Sequence, residues 1–165
     1  MGINWGVGHL LLKRRVKVTL LRLLSFWPPY LGAGIRLRGL DQEFRWAVVE
    51  LRQRFWNTNY VGVHFGGSLY SMTDPIYMLL VMERFRIEGW LQDYIIWDKA
   101  ASIRFRRPGR GTVRAEFKIT DDQIRDFKTK ADQLEKVEPV LTVLVKNEKD
   151  EVVAEIEKTL YIKKK

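Results

Sequence analysis

From Gly66 to Phe85 the chain is apolar on nearly every side of a helix. Leu69, Tyr70, Met72, Ile76, Tyr77, Met78, Leu79, Leu80, Val81 and Met82 leave no polar stripe for water. A helix apolar all round is one buried all round, so the remaining elements must enclose this segment. Pro75 lies inside it. A proline removes one backbone hydrogen bond and crowds the preceding turn, which predicts a kink immediately after Asp74.

The other segments supply the enclosure. "GIRLRGL" alternates Ile35 and Leu37 against Arg36 and Arg38, and "EFRWAVVELRQR" sets Phe44, Trp46 and Val48 against basic and smaller residues. Both read as strands. Beyond "EGW" the period stays at two. "YIIWDKAASIRFRRP" places Trp97, Lys99, Ala101, Ile103 and Phe105 on one face and Asp98, Ser102, Arg104 and Arg106 on the other. "GTVRAEFKIT" follows, and "RPGRG" between the two reads as a hairpin turn. Thr120 and Asp121 cap a short charged helix, and "VEPVLTVLVKN" and "EVVAEIEKTLYI" end the chain. The expected architecture is α+β: about six antiparallel strands wrapped around a central helix at about 66–85.

Ahead of this domain, assigned to residues 30–165, residues 1–29 read as an N-terminal basic amphipathic helix, with its helical stretch at 8–27. Leu12, Val16, Leu20, Leu23, Leu24 and Trp27 recur near a helical period, basic residues lie between them, and Pro28-Pro29 stops the helix. Its Leu face can pack on the domain, or it can lie on an anionic membrane surface. The net charge of +9 is concentrated here, with a smaller share around "RFRRPGR". Such a field suits polyanions in general. No nucleic-acid motif accompanies it, and the aromatics fall at core-like spacings, so nucleic acid is not an expected partner.

A chain of 165 residues buries enough surface to need neither metal nor disulfide. It contains no cysteine, which excludes thiol nucleophiles and cysteine-based metal centres, and with two histidines no metal site is expected. No stretch has the length and apolarity of a membrane span, and no secretory leader pattern is present, so a cytoplasmic protein is expected. Peripheral membrane association is left to the basic helix.

The chemistry concentrates in "NTNYVGVHFGGSLYSMTDP", residues 57–75. Gly66 and Gly67 directly precede a helix, where the backbone can approach a ligand and the first amides have no intrahelical partner. Those amides suit an oxyanion such as that of an attacked thioester carbonyl. Asp74 lies about two turns further on and can serve as a nucleophile or as a base on water.

The same stretch resembles the helix start of hotdog-fold thioesterases, especially the phenylacetate-pathway type. Their pattern runs Asn, a few residues, Gly, His-Gly-Gly, and an Asp seven residues beyond the second Gly. Asn59, Gly62, Gly66, Gly67 and Asp74 fit that spacing. The closest resemblance is to a branch of thioesterase-like hotdog proteins with "N-x-x-G-x-x-F-G-G-S-L-Y" and a later "WDKAASIRFRRPGRGTV", over roughly residues 30–163. One departure stands out: Phe65 occupies the histidine position of the pattern, and His64 is displaced by one residue.

The resemblance implies a homo-oligomer, a dimer or dimer of dimers, with its active site between subunits. The substrate would be an acyl-CoA or acyl-carrier-protein thioester, with coenzyme A as part of the substrate and no separate cofactor. Asp74 would be base or nucleophile, Gly66 and Gly67 the oxyanion hole, and Asn59 and His64 their neighbours in the catalytic group. Phe65, Ser68 and the arginines Arg104, Arg106, Arg107 and Arg110 would bind substrate, the arginines through coenzyme A phosphates. Trp46, Tyr70, Tyr77, Trp97 and Phe105 can line an acyl channel or simply be core. An alternative is a non-catalytic acyl-CoA or acyl-lipid binding protein, docked to membrane through residues 8–27.

Overall fold

The computed structural model describes Leu21 and residues 23–165, so most of the predicted helix at 8–27 lies outside the described residues. Leu23–Phe26 forms one 3-10 turn, Leu21 and Leu24 pack on the core, and the Leu37 amide donates to Ser25 Oγ. Pro28-Pro29, expected to stop a helix, begins one here. The pair opens α1 (Pro28–Ala33), because a proline in the first turn forfeits a bond that no partner would have made. Gly34, at φ 79, ends it by turning its amide back to Leu31.

Then come β1 (Ile35–Leu40), β2 (Trp46–Arg52), α2 (Gly66–Ser71), α3 (Ile76–Ile87), β3 (Tyr94–Phe105) and β4 (Thr112–Lys118). The remainder is α4 (Asp121–Leu134), β5 (Lys136–Val137), β6 (Val140–Asn147) and β7 (Val152–Lys164). The strands form one antiparallel seven-stranded sheet in the order β1-β2-β4-β6-β7-β3, with the short β5 paired to β7. Its inner face closes on α2 and α3. Leu69, Met72, Ile76, Tyr77, Leu80, Val81 and Phe85 are buried there against Val49, Leu51, Phe117, Val143, Ile156 and Leu160. The apolar segment is therefore enclosed as expected, but it is two helices. Residues 72–75 form turns between them, a full break rather than a kink.

Three local expectations are corrected. In β2 the inward residues are Ala47, Val49 and Leu51, while Trp46 is exposed and lies across Gly39 of β1. In β3 the register against β7 shifts between Asp98 and Ala100, so Lys99 is an extra residue. This bulge exchanges the two faces of the strand. Ile96 and Asp98 face inward before it and Ala101 and Ile103 after it, and Trp97 stacks outside on Tyr161 at 5.1 Å.

The third correction concerns "RPGRG". It is not a hairpin turn, because β3 pairs only with β7 while β4 lies between β2 and β6. The segment crosses the end of the sheet and is pinned on both sides. Arg106 and Arg107 amides donate to Val153 O, the His64 amide donates to Gly109 O, and the Gly111 amide donates to Gln53 Oε1.

Candidate active site

The loop between β2 and α2 is built around two asparagines. Asn57 is buried, accepts the Arg54 amide on Oδ1, and donates from Nδ2 to Ala33 O at 2.8 Å and Arg52 O at 2.9 Å. Its own carbonyl accepts the Phe65 amide, so it joins the ends of α1 and β2 to the start of α2. Asn59 accepts the Val61 and Val63 amides on Oδ1, and its Nδ2 points to His64 O at 3.4 Å. Both ends of that side chain are spent on shaping the loop, which makes Asn59 a loop organiser.

His64 is 2% exposed, and its Nε2 lies 3.0 Å from Gly111 O. A carbonyl only accepts, so Nε2 carries the proton. Burial lowers the pKa, partly opposed by that bond, and Nδ1 is buried without a partner. The ring is committed to the crossing segment. One position ahead of Phe65, this histidine ties the loop to the crossing segment.

Gly66 and Gly67 begin α2, where their amides fall in the unpaired first turn. Each is covered by an aromatic ring that a side chain would strike. A Cβ on Gly66 would lie 3.0 Å from Phe105, and one on Gly67 would lie 2.4 Å from Phe65. Phe65 itself is exposed, while Ser68 is buried one turn in. Beside them opens a cleft of about 630 Å³, lined among others by Asn59, Gly66, Phe105, Arg106, Arg107 and Arg110. Arg106 pairs with Glu155 at 2.6 Å, Arg107 with Glu151 at 2.7 Å, and Arg110 Nη1 donates to Gly62 O at 2.9 Å. Three of the four predicted arginines therefore meet at one cleft; Arg104 lies on the exposed part of β3 and is not part of its lining.

Asp74 sits in the break between α2 and α3, at the opposite end of α2 from the glycines. It neither faces bare solvent nor pairs with an arginine. Its Oδ1 is 2.9 Å from Lys158 Nζ, and the carboxyl is half exposed. Lys158 is 1% exposed and also lies 3.1 Å from Asp98 Oδ2. The Tyr30 hydroxyl donates to Asp74 O, and Lys158 Nζ stands 5.5 Å from the Tyr70 ring centroid.

The electrostatics follow from burial and mutual contact. Burial raises the Asp98 pKa, the neighbouring Asp74 carboxyl raises it further, and it reaches about 6 despite Lys158. For Asp74, burial pushes upward, but the neighbouring Asp98 carboxyl and the Lys158 ammonium prevail and the shift is downward. Burial opposes the charge on Lys158, and the two carboxyls outweigh it, so its pKa rises. Burial and then both aspartates hold the Tyr30 hydroxyl protonated. An ionised Asp74 beside an ammonium and a second, more basic carboxyl can accept a proton from water.

Lys158, Asp98 and Tyr30 were missing from the sequence-predicted site. Lys158 had a legible signal, for the period of β7 places it inward between Ile156 and Leu160. Asp98 shares the phase of Tyr94 and Ile96, and the bulge at Lys99 hides this by putting it out of phase with Ala101 and Ile103.

The sequence profile of the domain of unknown function DUF4442 matches residues 16–162. The chain belongs to the DUF4442 family. No functionally curated protein matches it in sequence. Solved structures resemble this DUF4442 protein over most of their length. A Pseudomonas aeruginosa protein of unknown function, called a probable thioesterase, has a TM-score of 0.74 at 23% identity, covering 90% of this chain and 96% of its own. A thioesterase from Haemophilus influenzae reaches 0.62 at 14% identity, covering 87% and 88%. A Streptococcus mutans protein solved with acetyl-CoA bound reaches 0.55 at 17% identity, covering 79% and 90%. At these identities the likeness establishes the fold, and the expected hotdog fold is confirmed.

Proposed function

We propose that this DUF4442 protein hydrolyses an acyl-CoA or acyl-carrier-protein thioester, with Asp74 activating the attacking water. The observation that carries this reading is the state of Asp74: half exposed at a helix break, and held ionised against a buried lysine. The fold likeness to proteins named as thioesterases supports it, as does the neighbour that binds acetyl-CoA. Water gives a proton to Asp74 as its oxygen forms a bond to the thioester carbon. The C–S bond then breaks, and the departing thiolate takes that proton to become a thiol. The acid product ionises and releases one proton to solvent.

Gly66 and Gly67 amides would hold the carbonyl oxygen during attack. Within one chain Asp74 lies beyond the far end of the six-residue α2 from these amides, and that helix's length of roughly 9 Å is too great for them to share one carbonyl. The reading therefore includes a homo-oligomer in which Asp74 of one copy works with the glycine amides of another. Among the described residues β1 and β3 are the rim strands of the sheet, and the long β3 edge is one that such pairing can use. The test is thiol release from an acyl-CoA panel by the wild type and Asp74→Asn.

The cleft beside Gly66 supplies the phosphate half of the substrate in this reading. Arg107→Ala is expected to raise KM for a CoA thioester by about tenfold through one lost charge-assisted contact. KM for the matching pantetheine thioester should stay unchanged. Equal effects on both substrates would remove the phosphate role.

A second reading has one observation in its favour. Leu23, Phe26, Trp27 and Leu31 are exposed, and several of them line an apolar hollow of about 690 Å³ beside Pro75. This suits docking on an anionic membrane, with or without turnover. The full chain should float with phosphatidylglycerol vesicles, and a Phe26→Asp/Trp27→Asp variant should bind several-fold less. Failure of the wild type to float would end this reading.

A further inference from the structure

Thioester hydrolysis by Asp74 leaves two charged groups packed beside it, Lys158 and Asp98, without a role. Lys158 occupies an inward position of β7 in the middle of the core face, where a leucine or isoleucine would cost nothing to bury. Asp98 faces inward in phase with Ile96, directly before the bulge in β3, and neither of its carboxyl oxygens accepts a hydrogen bond. Its Oδ2 lies 3.1 Å from Lys158 Nζ, an ion-pair distance off the hydrogen directions. Buried carboxylates are normally paired and fully hydrogen-bonded, because unsatisfied ones destabilise the fold. An under-satisfied carboxyl beside the reacting one is placed to receive a proton.

We propose that Asp98 and Lys158 complete the Asp74 site. Lys158 is a positioning residue that aims the Asp74 carboxylate and keeps it ionised. Asp98 is a second positioning residue that holds the proton drawn from water while the C–S bond breaks. This inference rests on the thioesterase reading of Asp74. The proton taken from water enters the shared position between Asp74 and Asp98, and the carbonyl carbon gains the water oxygen. When the C–S pair leaves with sulfur, the same proton moves through Asp74 to the thiolate, and both carboxylates are regenerated.

The charged and titratable groups around the pair come from every packed element: Tyr30 of α1, Tyr70 of α2, Asp98 of β3 and Lys158 of β7. Tyr30 stays protonated, and Lys158 stays charged well above neutrality. Asp98, with its pKa near 6, is the member that changes charge closest to neutral pH.

The test is Asp98→Asn in the full chain, assayed with an acyl-CoA panel from pH 5 to 9. Wild-type kcat should fall as pH drops through about 6, where Asp98 becomes protonated and can no longer store the proton. In the variant this limb should vanish, kcat at pH 8 should drop by about 10²-fold, and KM should hold. Because the substitution removes a buried charge, Tm at pH 8 should rise by about 2–5 °C. Lost activity with a higher Tm cannot come from unfolding. A variant with wild-type kcat and the same acid limb overturns the proposal and leaves the Asp74 reading standing. Lost activity with a lowered Tm also overturns it, since a structural part would behave that way. A wild type that cleaves no thioester in the panel overturns the underlying reading and this inference together.

Discussion

Asp74→Asn is expected to lower kcat for thioester hydrolysis by about 10³-fold while the fold survives. Asparagine keeps the shape of the side chain and a carbonyl oxygen that can accept from Lys158 Nζ, now 2.9 Å from the carboxylate. It cannot take a proton from water. Lys158 still has Asp98 at 3.1 Å as counterion, so no buried charge is orphaned. The hydrogen bond from Tyr30 goes to the backbone carbonyl of residue 74 and is retained. Thiol release measured beside a thermal melt separates the two effects. Turnover at the wild-type rate by this variant would eliminate Asp74 as the base.

The second large effect is on stability. Lys158→Met is expected to destabilise the protein by about 3 kcal/mol at pH 8, because it leaves a buried carboxylate without its cation. The loss should shrink as pH falls toward 5. Asp98 has a folded pKa of about 6, above the unfolded value near 3.9, so the cost of its charge is absent at low pH and complete above 6. Without Lys158 that pKa rises further, and the cost at pH 8 grows while that at pH 5 does not.

The other members titrate outside this window. The Asp74 pKa is depressed, so its stabilisation is lost only as pH falls below the ordinary carboxylate range. The Lys158 pKa is raised, so its own contribution persists until pH passes beyond the ordinary lysine range. Urea unfolding of both proteins at pH 5 and pH 8 measures the difference. An equal loss at both values would mean that the lysine stem contributes only packing.

Much of the architecture was legible because it follows from burial. The apolar stretch at 66–85 demanded an enclosure, and alternating segments were available to make it. The Thr120 cap of α4 was equally plain, since its hydroxyl accepts the Gln123 amide in a capping box. The misread face of β3 has a local cause. A period-two pattern identifies a strand but not its phase once an extra residue intervenes, and Lys99 is such a residue. "RPGRG" was misread because a turn composition does not say which strands its flanks pair with.

For the candidate site, local spacing pointed to the glycine pair and Asp74, and it placed His64 one position early. That shift is decided within a few residues, so sequence could display it. What holds Asp74 could not be displayed, because its contacts span 84 residues to Lys158 and 44 to Tyr30. The sequence by itself determined that a helix would be buried in an antiparallel sheet, and where its polar edge begins, since hydrophobic periodicity and turn chemistry are local properties. Only the tertiary structure decided that Asp74 and Asp98 would both stand beside a buried Lys158. A carboxyl group's charge depends on what burial and neighbours surround it, and those neighbours arrive from three separate strands and helices.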